Sequence, residues 1–87
     1  MTHQEDEPGL AEQPRPGETK RDRFIRIAER RTQQLLLRLR ILGNCSNRGV
    51  YEYTDEDVEK IFSAILRQVD VTRARFEDRA KSARFKL

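Results

Sequence analysis

From Thr19 onward the apolar residues recur with a helical period; before it they do not. Phe24, Ala28, Leu35, Leu39 and Leu42 fall within a narrow arc of a helical wheel, which predicts an amphipathic helix over about residues 19–42. Thr19 is the expected N-cap, with Asp22 placed three residues on to answer the cap's own N–H as in a capping box. Leu42-Gly43-Asn44 is the expected stop, Gly43 taking the left-handed conformation that closes a last turn. Leu36, Leu37 and Ile41 lie off the main stripe, so the later half of this helix calls for more than one neighbour.

The second periodic segment opens on Tyr53-Thr54-Asp55-Glu56-Asp57-Val58. Thr54 caps, Asp57 stands at the third helical position, and Tyr53 is placed to staple onto Val58. Three acids in the first turn suit the positive end of the helix dipole. Val58, Phe62, Ile65, Val69, Thr72 and Phe76 then follow with heptad spacing, continued by Ala80 and Ala83, which predicts a helix over about 55–82. The basic turns from Arg79 to Leu87 suit the negative helix end and are expected to fray. Residues 43–53 between the helices are dense in turn formers.

The fold class expected is all-α. Helices of about 36 and 42 Å joined by a short connection make an antiparallel two-helix hairpin, residues 19–87, the simplest arrangement. A hairpin covers each stripe on one side only, so a homodimer forming a four-helix bundle is expected. The alternative is a monomer in which Val50 to Tyr53 and the loop fold over the hairpin as a third layer.

Residues 1–18 carry all three prolines and only Met1, Leu10 and Ala11 as apolar residues. Such a segment cannot offset its own ordering entropy and reads as a disordered acidic tail. Two roles are open to it: a solubilising extension, the commoner case, or a segment that folds back on the basic helix and competes with an anionic partner.

Charge changes the picture more through its arrangement than through its sum of +3. Met1–Glu18 sets five acids against Arg15, Thr19–Gly49 nine bases against two acids, Val50–Leu66 five acids against Lys60, and Arg67–Leu87 seven bases against three acids. The most basic block is the first helix, where Lys20, Arg21, Arg23, Arg26, Arg30 and Arg31 fall within twelve residues. Six positive charges at that density are enough to neutralise several phosphates. Arg23, Arg26, Arg30 and Arg40 stand away from the apolar stripe, giving a helix basic on one face and apolar on the other.

Other chemistries find little material. The single Cys excludes an intramolecular disulfide and points to a reducing compartment. With an acidic N-terminus and no long apolar run, the chain is expected to be cytoplasmic, neither secreted nor membrane-spanning. Cys45 beside Arg48 is the one nucleophile candidate, but the only His is His3 in the tail, so no Cys-His pair is available and no enzyme is expected. One Cys and one remote His supply no zinc set, and Asp55-Glu56-Asp57 lacks the glycine and spacing of a calcium loop. Gly43 to Gly49 lacks the Gly-Lys-Ser/Thr of a phosphate loop and follows a helix rather than a strand. No cofactor, metal or small-molecule substrate is expected.

The stretch Leu39-Arg40-Ile41-Leu42-Gly43-Asn44-Cys45-Ser46-Asn47-Arg48, followed by Tyr51-Glu52-Tyr53-Thr54-Asp55-Glu56-Asp57-Val58 and Ile61-Phe62, resembles a pattern in short uncharacterised bacterial helical proteins, some from plasmids and other mobile elements. The resemblance covers about half the chain and implies a bacterial origin, not an activity. Because this segment is more idiosyncratic than a hairpin demands, the loop is expected to be a binding surface. The expected function is that of a non-enzymatic accessory protein that self-associates and binds nucleic acid or a nucleoprotein machine. The residues expected to carry it are Arg23, Arg26, Arg30, Arg31, Asn44, Asn47, Arg48, Tyr51 and Tyr53. The alternative is a protein–protein adaptor that docks through Leu37, Ile41 and the tyrosines without nucleic acid.

Overall fold

The computed structural model describes residues 12–83, with side chains through residue 78. These form two α-helices, α1 (Lys20–Gly43) and α2 (Asp55–Ala83), with a 3-10 turn at Asn44–Ser46, and no strand among the described residues. The protein is all-α. Each predicted helix is found with its ends displaced by a residue at most. His3 and the rest of residues 1–11 lie outside the described residues, as do the side chains of Arg79, Ala80 and Ala83.

The start of α1 is a complete capping box. Thr19 has extended backbone angles, its hydroxyl accepts from the Asp22 N–H at 3.0 Å, and its own N–H donates to the Asp22 carboxylate at 3.4 Å. Two of the four orphan donors of the helix start are thereby satisfied. At the other end the structure corrects the expected stop. Gly43 is helical, and the only glycine with positive φ among the described residues is Gly17. The cap is Asn44 in the right-handed region (φ −66°, ψ −20°), whose N–H reaches the carbonyls of Ile41 and Leu42. A tightening into the 3-10 turn serves the last carbonyls, so no left-handed residue is needed.

The second unit opens with Asn47. Its side-chain oxygen accepts from the Gly49 N–H at 2.9 Å, and its carbonyl accepts from both Val50 and Tyr51 N–H. A Cβ at Gly49 would stand 3.2 Å from that Asn47 oxygen, so this turn favours glycine by close approach rather than by dihedral angle. Thr54 and Asp57 then form the second capping box, at 3.1 and 2.9 Å. Along α2, Glu56–Lys60 and Arg73–Glu77 pair one turn apart, in the acid-first and base-first senses respectively.

No hydrophobic side chain among the described residues is buried. On α1, Ala28, Leu39 and Leu42 are half-buried, while Phe24, Leu35, Leu36, Leu37 and Ile41 are exposed. On α2, Val58 and Ile65 are half-buried, while Phe62, Val69 and Phe76 are exposed, Phe76 at 63%. No described helix is long and apolar enough to cross a membrane.

Candidate nucleic-acid interface

The basic face of α1 rests on helical geometry. Arg23, Arg26 and Arg30 lie three and four residues apart and so share one side of the helix, while Arg31 stands about 100° round from Arg30. Arg23 and Arg30 are exposed, and neither makes an ion pair among the described residues.

Arg26 and Arg31 are engaged by the segment that precedes the helix. Arg26 donates from Nε to Glu18 Oε2 at 2.7 Å, and from Nη2 to Glu18 Oε1 and the Gln13 carbonyl, both at 2.9 Å. Arg31 donates from Nη2 to Glu12 Oε1 at 2.6 Å and from Nε to Glu12 Oε2 at 3.0 Å. Each guanidinium thus presents two parallel N–H groups to the two oxygens of one carboxylate, the fork geometry that makes Arg selective for planar anions. The Glu12 side chain is 8% exposed and that of Glu18 10%, whereas Arg31 keeps 57% of its surface open.

Arg15 to Glu18 form a tight turn that aims Glu18. The Glu18 N–H donates to the Arg15 carbonyl at 3.1 Å, with Pro16 second and Gly17 third at φ +74°. This is the residue pattern of a type II turn: proline fixes the first central angle and glycine supplies the positive φ of the second. The Arg15 N–H also donates to Glu18 Oε1 at 3.1 Å. The segment expected as a disordered tail therefore divides: residues 1–11 lie outside the described residues, and Glu12–Glu18 is fastened to α1 by a turn and two forked ion pairs.

The Arg26 hydrogen bonds, partly opposed by lost hydration, hold the Glu18 carboxyl down at about 2, with help from the Arg15 N–H. Glu12 is also lowered, first by its hydrogen bonds from Arg31, against some desolvation, and then by the charges of Arg31, Arg30 and Arg26. Arg30 therefore acts on the same acid without touching it.

In the interhelix loop, Asn47 and Arg48 hold the loop itself. Asn47 forms the turn already described, and Arg48 donates from Nη1 to the Tyr53 carbonyl at 3.1 Å while its guanidinium lies 4.0 Å from the centre of the Tyr53 ring. That stacking ties the loop to the residue before the α2 cap. Asn44 caps α1, and Tyr51 is exposed. Cys45 is an exposed free thiol in the 3-10 turn. A shallow depression on α1 is lined by Asp22, Ile25, Arg26, Glu29, Arg30 and Gln33, residues of mixed charge. No group of three or more His, Cys, Asp or Glu among the described residues is placed to hold a metal ion.

The sequence offers a fold-back of the acidic segment on the basic helix as one of two roles, without singling out Glu12 and Glu18 as the acids that make it. The Pro16-Gly17 dipeptide was the one local signal of an ordered turn. Comparison with known proteins finds no matching family model, no similar curated protein and no similar solved structure.

Proposed function

We propose that this chain is a non-enzymatic accessory protein of the bacterial cytoplasm, an antiparallel helical hairpin that self-associates as a four-helix bundle and binds nucleic acid or a nucleoprotein complex. Arg23, Arg26, Arg30 and Arg31 on α1 meet the phosphate backbone, and Tyr51 and the loop around it supply further contacts. The observation that carries this reading is the fork geometry of Arg26 and Arg31, each already gripping an anion through Nε and Nη2. A phosphodiester offers the same pair of oxygens. Asn47 and Arg48 also serve the reading by shaping the loop, since both make bonds within it.

Exposed Leu37, Ile41 and Tyr51 favour a second reading, an adaptor that docks a protein partner through apolar surface. Salt separates the two. Binding of a labelled random-sequence DNA duplex through four phosphate contacts has a slope of log K against log salt of about −3.6, from about −0.9 per neutralised phosphate. An Arg23→Gln/Arg30→Gln variant should flatten that slope by about 1.8. A slope near zero, or partner capture that survives nuclease treatment unchanged, transfers the function to the adaptor reading.

A further inference from the structure

Glu12 and Glu18 occupy the same N–H groups that the proposed interface offers to phosphate. We propose that the Glu12–Glu18 segment is an intramolecular clasp, which a nucleic-acid backbone must displace from Arg26 and Arg31 before those two residues can bind it. The inference rests on the proposed reading of α1 and adds the regulation of that face.

Three features make the clasp a built device rather than a chance pairing. The Nε–Nη2 edge is taken at both sites: each carboxylate meets Nε and Nη2, and the Gln13 carbonyl takes Arg26 Nη2 as well. The path between the two acids is also fixed, because the Pro16-Gly17 turn returns the chain and the Arg15 N–H helps seat Glu18. Finally, one of the acids lies within the field of the wider basic face: Glu12 feels Arg30 and Arg26 in addition to its partner Arg31.

Magnitudes decide what such a clasp can do. Ion pairs at a solvated surface are individually weak and salt-sensitive. Being on the same chain, however, the carboxylates act at the high effective concentration of a short tether. A polyanion carries many phosphates and can take Arg23 and Arg30 first, then exchange with the carboxylates one at a time. The clasp therefore lowers affinity for weak or short anions and yields to an extended backbone.

The test is fluorescence anisotropy on the full chain at low salt, with a labelled random-sequence DNA duplex and a single-stranded RNA as probes. Glu12→Gln/Glu18→Gln should tighten binding roughly tenfold, the size expected from freeing two weak pairs. Glu59→Gln/Asp70→Asn removes two acids from α2, changes net charge equally, and should tighten it by no more than about twofold, as expected of screened acids that occupy neither guanidinium fork. Gly17→Ala leaves charge untouched but strains the turn, because an L side chain resists positive φ, and should tighten binding in the same direction. Equal tightening by the two charge variants, or no tightening by Gly17→Ala and Glu12→Gln/Glu18→Gln, overturns the clasp while leaving the interface standing. Absence of binding by both the wild type and the opened variant overturns the interface and the clasp together.

Discussion

Glu18 is a reporter of the segment before α1, because its carboxyl is held at about 2 by a partner eight residues away. A carboxyl whose value is depressed on folding contributes stability that is present above its ordinary value of 4.5 and is lost as pH falls through its folded value. The fastening of Glu12–Glu18 to α1 should accordingly be intact at neutral pH and released only in the window from about 4.5 down to about 2. A carbon-detected NMR titration should give Glu18 a midpoint near 2, and Arg26→Gln should return it toward 4.5. A wild-type midpoint at the ordinary value excludes the pair in solution. Neither acid announces this role in the sequence: separations of eight and nineteen residues fall outside the one-turn spacing by which side-chain pairs are read from a helix. Only the proline–glycine turn between them is a local signal, and it predicts a bend without predicting what the bend brings together.

The helices are the part most legible in the sequence, and the reason is local. Thr19 with Asp22 and Thr54 with Asp57 each contain, within four residues, every group needed to start a helix, and both boxes form as expected. The α1 C-terminus differs from the expected stop because glycine permits a left-handed cap without requiring one, while the following Asn44-Cys45-Ser46 takes up the carbonyls by continuing as a 3-10 turn. The two accounts predict opposite signs for one substitution. Gly43 has ordinary helical geometry, and a Cβ there meets nothing within 4 Å. Gly43→Ala should thus stabilise the helix by about 0.5–1 kcal/mol, whereas a left-handed glycine would be destabilised by a similar or larger amount. Thr54→Ala should cost about 1 kcal/mol through loss of the second cap. Thermal unfolding followed by circular dichroism distinguishes these outcomes: a lower midpoint for Gly43→Ala would restore the left-handed cap.

At the scale of the whole molecule, the stripes that the sequence marks as core are half-buried at best and in large part exposed. Fourteen large hydrophobics among the described residues are exposed, from Phe24 on α1 to Phe76 on α2. Fully covering a Val, Leu, Ile or Phe stabilises by roughly 1.5–3 kcal/mol, so a partner that covers several of these half-open side chains gains an amount comparable with the about 4–15 kcal/mol lost in association. Periodicity identifies the stripes but is silent on what covers them, which is why the assembly is less legible than the helices. If a second copy supplies the cover, folding is linked to association and the thermal midpoint rises with protein concentration. The heptad positions give that expectation a direction. Val69 lies on the stripe with Phe62 and Phe76, whereas Val71 points to the opposite side of α2 by helical geometry, and the two valines are equally open, at 49% and 50%. Val69→Glu should abolish the assembly in sedimentation equilibrium at micromolar concentration and lower the midpoint, whereas Val71→Glu should leave both near wild type. Equal effects of the two substitutions, or a wild-type monomer whose midpoint ignores concentration, would exclude self-association through this stripe and leave its apolar face to a different partner.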